Sequence, residues 1–118
     1  MRLRVFIDAT STAGRVIVGL YTNTASGHPG TLLTSGTITA PAAGQNNEVV
    51  VPATSVTAGQ TYWLAVLATS GTLKFRDRGA VGAGSSESSL QTTLTAMPAT
   101  WTTGSSFTDG LISAVGVG

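Results

Sequence analysis

The chain has 118 residues, a formal net charge of +1 and only 9% charged residues, against roughly a quarter in ordinary globular domains. Its hydrophobic content of 42% sets it apart from disordered sequences, and its length suits one domain, residues 1–118, with a core that needs no metal or disulfide. The near-neutral balance and lack of a basic stripe argue against a nucleic-acid partner; no apolar run reaches the about 18 residues needed to span a bilayer; and the absence of cysteine excludes disulfides, thiol catalysis and cysteine metal sites.

Residues 2–8 alternate, with Leu3, Val5 and Ile7 on one face and Arg2, Arg4, Phe6 and Asp8 on the other, the period of a half-buried strand. Asp8 cuts the apolar start too short for a signal peptide, so the beginning reads as a fragment boundary. Arg15 to Tyr21 is apolar on both faces, as in a central strand, and Gly19 within it marks a bulge or a close approach. A Pro29-Gly30 turn leads to a strand over Thr31 to Thr39, interrupted at Ser35-Gly36. Glu48 to Val51 is a short strand ended by Pro52.

The most hydrophobic stretch follows. Tyr62, Leu64 and Val66 share one face of a strand, and Trp63, Ala65 and Leu67 share the other. Ser70-Gly71 predicts a hairpin connection to a charged strand, Thr72 to Arg78. Gly79 to Ser89 has the composition of a flexible linker. Leu90 to Met97 alternates weakly, 98–110 reads as loop, and Leu111 to Val117 reads as the closing strand. No segment carries a capped helical repeat. Short strands spaced by roughly 8–12 residues predict an all-β fold, an antiparallel β-sandwich or barrel.

Several motifs resemble the β-sandwich modules of bacterial surface and secreted proteins, in the loose choice-of-anchor group. They are Gly19-Leu20-Tyr21, Gly27-His28-Pro29-Gly30, Leu32-Leu33, Val56-Thr57-Ala58-Gly59-Gln60-Thr61-Tyr62-Trp63, Phe75-Arg76 and Asp109-Gly110-Leu111. The resemblance covers nearly the whole chain and is weakest over residues 79–96. It implies a jelly-roll-like sandwich, an extracellular or cell-surface bacterial setting, and neighbouring carbohydrate-active or adhesive domains. Such modules usually begin one strand earlier. The missing first strand implies an open edge beside residues 2–8, to be filled by a neighbouring domain or a second copy.

The chemistry-bearing residues are few. His28, the single histidine, lies in a Gly/Pro turn and reads as a turn residue. The five acids, Asp8, Glu48, Asp77, Glu87 and Asp109, show no spacing suited to catalysis, so no enzyme activity is expected. Asp77 and Asp109 with loop carbonyls would suit Ca²⁺, but no repeated acidic spacing supports it and no cofactor is expected. Lys74, Arg76 and Arg78 alternate on one strand and would form a basic strip, either for an anionic sugar or as an edge that blocks aggregation. Trp63, in its apolar strand, is expected in the core. Trp101, in polar loop sequence, is the better ligand contact. The leading expectation is a non-catalytic module that binds a polysaccharide or glycan through Trp101, Arg76, Arg78, Asp109 and Lys74. The alternative is an adhesive building block that assembles through the N-terminal edge.

Overall fold

The computed structural model describes residues 1–74, 77–78, 86–107, 111–112 and 114–118. Two three-stranded sheets face each other. One has β1 (Arg2–Ile7) at its centre, flanked by β4 (Gln45–Val50) and β10 (Ala114–Val117). The other has β2 (Arg15–Asn23) at its centre, flanked by β3 (Pro29–Ile38) and β5 (Tyr62–Ser70). Two short pairs complete the strands: β6 (Asp77–Arg78) with β9 (Leu111–Ile112), and β7 (Ser86–Ser89) with β8 (Thr103–Phe107). Every strand pairing is antiparallel, and no described residue is helical. No helix among the described residues is long and apolar enough to cross a membrane.

The period-two pattern places the core. Leu3, Val5 and Ile7 of β1 meet Val16 and Val18 of β2, all fully buried or nearly so, with Ile38 and Val51 completing the cluster. Leu64 and Val66 of β5 pack against it, which is the inward face expected for that strand. On the opposite face of the other sheet, Glu48 bridges Arg2 at 3.1 Å and Arg4 at 2.7 Å. Hydrogen bonds from Arg4 above all hold its carboxyl below the usual carboxylate range.

β2 is central, as its two apolar faces require. Its outward face, Ile17, Gly19 and Tyr21, is buried because the chain after β7 returns across it. A side chain built on Gly19 would lie 3.3 Å from Met97 and 3.2 Å from Leu32, so this glycine marks a close approach. The register shift with β3 falls just beyond it, between Leu20 and Tyr21. Leu90 to Met97, weakly alternating, forms no strand. The segment after it hydrogen-bonds to the free edge of β3: Leu32 N–H donates to the Ala99 carbonyl, and Trp101 N–H to the Gly30 carbonyl, both at 2.9 Å.

Five expectations need correction. Ser86–Ser89, expected within a linker, and Thr103–Phe107, expected within a loop, are strands that pair with each other. β3 runs unbroken through Ser35 and Gly36, which pair with Gly19 and Val18. β1 has no open edge, because β10 and β4 occupy both of its sides; the closing strand fills the place where an earlier strand was expected. The hairpin after β5 is also absent. At Gly71, with φ of +67°, the chain turns away from β5 and runs beside residues 8–12. Asp8 N–H donates to the Lys74 carbonyl at 2.8 Å, and Thr12 N–H to the Thr72 carbonyl at 2.9 Å. These bonds satisfy backbone donors of the 8–12 loop and backbone acceptors of the 72–74 stretch.

Candidate functional site

The densest polar cluster is built around Glu87 on β7. Its side chain is 3% exposed, which for a carboxylate demands partners. It has three. Oε1 accepts from Trp101 Nε1 at 3.0 Å and from Thr103 Oγ1 at 2.6 Å. Oε2 pairs with His28 Nδ1 at 2.8 Å. One buried carboxylate therefore ties together the β2–β3 turn, β7 and the strand-like segment leading into β8.

Each element is placed for a local reason. His28 ends a tight turn in which Thr24 N–H donates to the His28 carbonyl at 2.8 Å, while His28 N–H donates to Thr24 Oγ1 at 3.1 Å. Trp101 is fixed by its backbone bond to Gly30 and by edge-on packing against Tyr21, with ring centroids 5.5 Å apart and planes at 73°, a favoured aromatic geometry. Its ring stays half-buried. Tyr21 is fully buried and its hydroxyl donates to the Pro98 carbonyl at 2.6 Å.

Trp63 joins the same surface. It stands opposite Tyr21 in the β2–β5 register, so the two side chains share one sheet face. That face points away from the core, and Trp63 is half-buried, with Nε1 donating to Asn23 Oδ1 at 2.9 Å. The strand's apolar character predicts a core tryptophan; the alternation in fact turns Leu64 and Val66 inward and Trp63 outward. Two half-buried tryptophans thus flank one buried tyrosine, and both indole N–H groups are held by protein acceptors.

The expected strand Thr72 to Arg78 does not begin at Thr72, since residues 72–74 are non-strand, and the basic strip as a whole falls partly outside the described residues. Lys74 is exposed and lies in non-strand chain beside the 8–12 loop. That loop precedes β2, whereas Trp101 lies beside the turn that follows it. Arg15 and Tyr21 are about 20 Å apart at the strand rise, so Lys74 and Trp101 sit at opposite ends of the sheet. Arg78 falls in β6, which pairs with β9; Arg76 and Asp109 lie outside the described residues. Among the described residues no group of three or more His or acidic side chains is placed to hold a metal.

Burial pushes the Tyr21 hydroxyl up from 10.0 to about 12. A folded value above the unfolded one stabilises the chain fully below pH 10 and loses that contribution as pH rises through 12. Alkaline loss of stability in this window should be shallower in Tyr21→Phe than in the wild type, by at most about 2 kcal/mol; urea unfolding across the window measures it, and parallel slopes would contradict it.

A concavity of about 600 Å³ opens elsewhere, between the 56–60 loop, the start of β5 and the ends of β1 and β10. Leu3, Leu20, Leu64, Val56 and Val117 line it, with no charged side chain. Thr57 N–H donates to the Tyr62 hydroxyl at 2.8 Å on its rim. It shares no lining residue with the Glu87 cluster.

Sequence reasoning missed Glu87 and the partner role of His28, which lie 59 positions apart. The one available signal was a lone carboxylate in the Gly/Ser/Ala-rich stretch 79–89, a place where solvation alone needs no charge. No family model, curated protein or solved structure matches this chain.

Proposed function

We propose that this chain is a non-catalytic β-sandwich module, jelly-roll-like in type, that binds carbohydrate or a cell-surface polymer through the outer face carrying Trp101. The observation that carries the reading is the mounting of Trp101. Tyr21 and Glu87 fix its ring from two sides while the residue stays partly accessible. A rigid, part-exposed indole offers an apolar face for a sugar ring at little entropic cost. Trp63 on the same sheet face extends the aromatic surface. The apolar concavity at the other site, with few polar groups and no charged side chain, suits a polyhydroxyl ligand less well.

Two apposed antiparallel sheets around a shared core support the sandwich reading. The motif resemblance supports an extracellular, bacterial setting and a place in the choice-of-anchor group. A non-catalytic role fits Glu87, whose two oxygens are already taken by internal donors; a carboxylate so engaged holds side chains in place. Assembly through the N-terminal strand lacks support, since β1 is paired on both sides.

Affinity electrophoresis in gels containing polysaccharide tests the reading. The wild type should be retarded, and Trp101→Ala should run as in a blank gel. Trp101→Ala also removes packing from Tyr21, at about 2–3 kcal/mol, so the comparison belongs at a temperature where circular dichroism shows the variant folded. Equal retardation of the folded variant and the wild type would sink the proposal.

A further inference from the structure

We infer that His28 is a second contact of this site, a hydrogen-bond acceptor for a hydroxyl of an uncharged sugar, and that Glu87 is the positioning residue that sets its tautomer. The inference rests on the reading of Trp101 as a carbohydrate contact. Its geometry stands on the cluster itself. An ionised carboxylate only accepts hydrogen bonds. Glu87 Oε1 is taken by Trp101 and Thr103, and Oε2 faces His28 Nδ1 at 2.8 Å. The proton of the uncharged imidazole therefore sits on Nδ1, and Nε2 presents a lone pair.

The His28 side chain is 42% exposed, and its Nε2 has no hydrogen-bond partner among the described residues. Because His28 and Trp101 grip the two oxygens of one carboxylate, the imidazole and the indole lie within the reach of a single sugar unit. A stacked sugar on Trp101 would thus find an acceptor at its rim.

The tautomer also selects the ligand. A sugar hydroxyl has a proton to give to Nε2. The carboxylate of a uronic acid has none, and its charge would face the negative charge of Glu87 across the ring. The site therefore favours neutral polysaccharides over anionic ones. This choice does not involve Lys74, which lies at the far end of the sheet.

The experiment has a ligand-free arm and a binding arm. In the free chain at mildly alkaline pH, ¹⁵N-resolved imidazole spectra should show His28 protonated at Nδ1 and bare at Nε2. Glu87→Gln supplies the contrast. Trp101 and Thr103 both donate, so they retain the amide oxygen, and the amide NH₂ then faces Nδ1 as a donor. The His28 proton should move to Nε2. A wild type protonated at Nε2, or a folded Glu87→Gln with an unchanged tautomer, overturns the positioning role. In the binding arm, gels of glucomannan and xylan should retard the wild type more than a polygalacturonate gel does. His28→Ala should weaken the neutral retardation about tenfold, roughly the loss of one good hydrogen bond to ligand. If Trp101→Ala loses retardation and folded His28→Ala keeps it, the inference fails and the Trp101 reading stands. If both variants are retarded like the wild type, or the wild type is not retarded at all, the Trp101 reading fails with it. Stronger retardation by polygalacturonate overturns the choice of a neutral ligand.

Discussion

Glu87→Ala is expected to destabilise the chain by about 3 kcal/mol, from the loss of partners for three donors at once, and to lower Tm by roughly 10 °C. The effect is large for one residue because the carboxylate is 3% exposed and serves Trp101, Thr103 and His28 together. These donors sit on two separate stretches of chain, the β2–β3 turn and residues 101–103, and removing their common acceptor releases β7 and β8 from that turn. Glu87→Gln should cost less, since its oxygen still satisfies two of the three. Thermal unfolding of both variants measures the difference; a Glu87→Ala transition within two or so degrees of the wild type would show that solvent replaces the carboxylate without cost.

Gly71→Ala should be at least as damaging, by about 3 kcal/mol or more. Two causes combine. The residue holds φ of +67°, which an L side chain adopts only with strain. A methyl group there would also collide with the Thr12 carbonyl, its carbon 2.8 Å away, and lie 3.1 Å from the Ala13 Cα. These are backbone atoms, so no rotamer change relieves the contact. The turn at Gly71 sends the chain from β5 to the 8–12 loop, and its disruption should loosen the bonds from Asp8 and Thr12 to the 72–74 backbone. Denaturant unfolding checks the magnitude, and amide exchange at Asp8 and Thr12 should accelerate. Gly59→Ala is the comparison: φ is +82°, but a methyl there meets nothing within 4 Å, so its cost should be the smaller one of backbone strain alone.

The strands that carry an apolar face were legible in the sequence, and those that do not were missed. β1, β2 and β5 declare themselves through Leu3, Val5 and Ile7, through Val16 and Val18, and through Leu64 and Val66, because burial on one face forces a period of two. β7 and β8 hold Ser86–Ser89 and Thr103–Phe107, where no hydrophobic alternation exists. Their ladder is backed by the hydrogen bond from Thr103 on β8 to Glu87 on β7, a tertiary contact that composition cannot display. The same stretch has a linker's composition because Gly, Ser and Ala serve both purposes.

The candidate site was legible only in part. Trp101 stands out as a tryptophan in polar sequence, and it is half-buried with part of it accessible. Trp63 looked like core because its strand is so apolar, yet position parity and not strand hydropathy decides which way a strand residue points. The Lys74, Arg76 and Arg78 strip presumed an unbroken strand from Thr72 to Arg78. The left-handed turn at Gly71 and the pull of the 8–12 backbone are long-range facts that local alternation does not contain. His28 and Glu87 became a pair only when the β2–β3 turn met β7.

The central claim is that the Trp101 face recognises carbohydrate, and a glycan array probed with the labelled chain beside its folded Trp101→Ala variant tests it most directly. The account predicts binding concentrated on neutral glycans that disappears with Trp101→Ala. An array on which the wild type binds no glycan, or binds the same glycans as Trp101→Ala with equal strength, would contradict it.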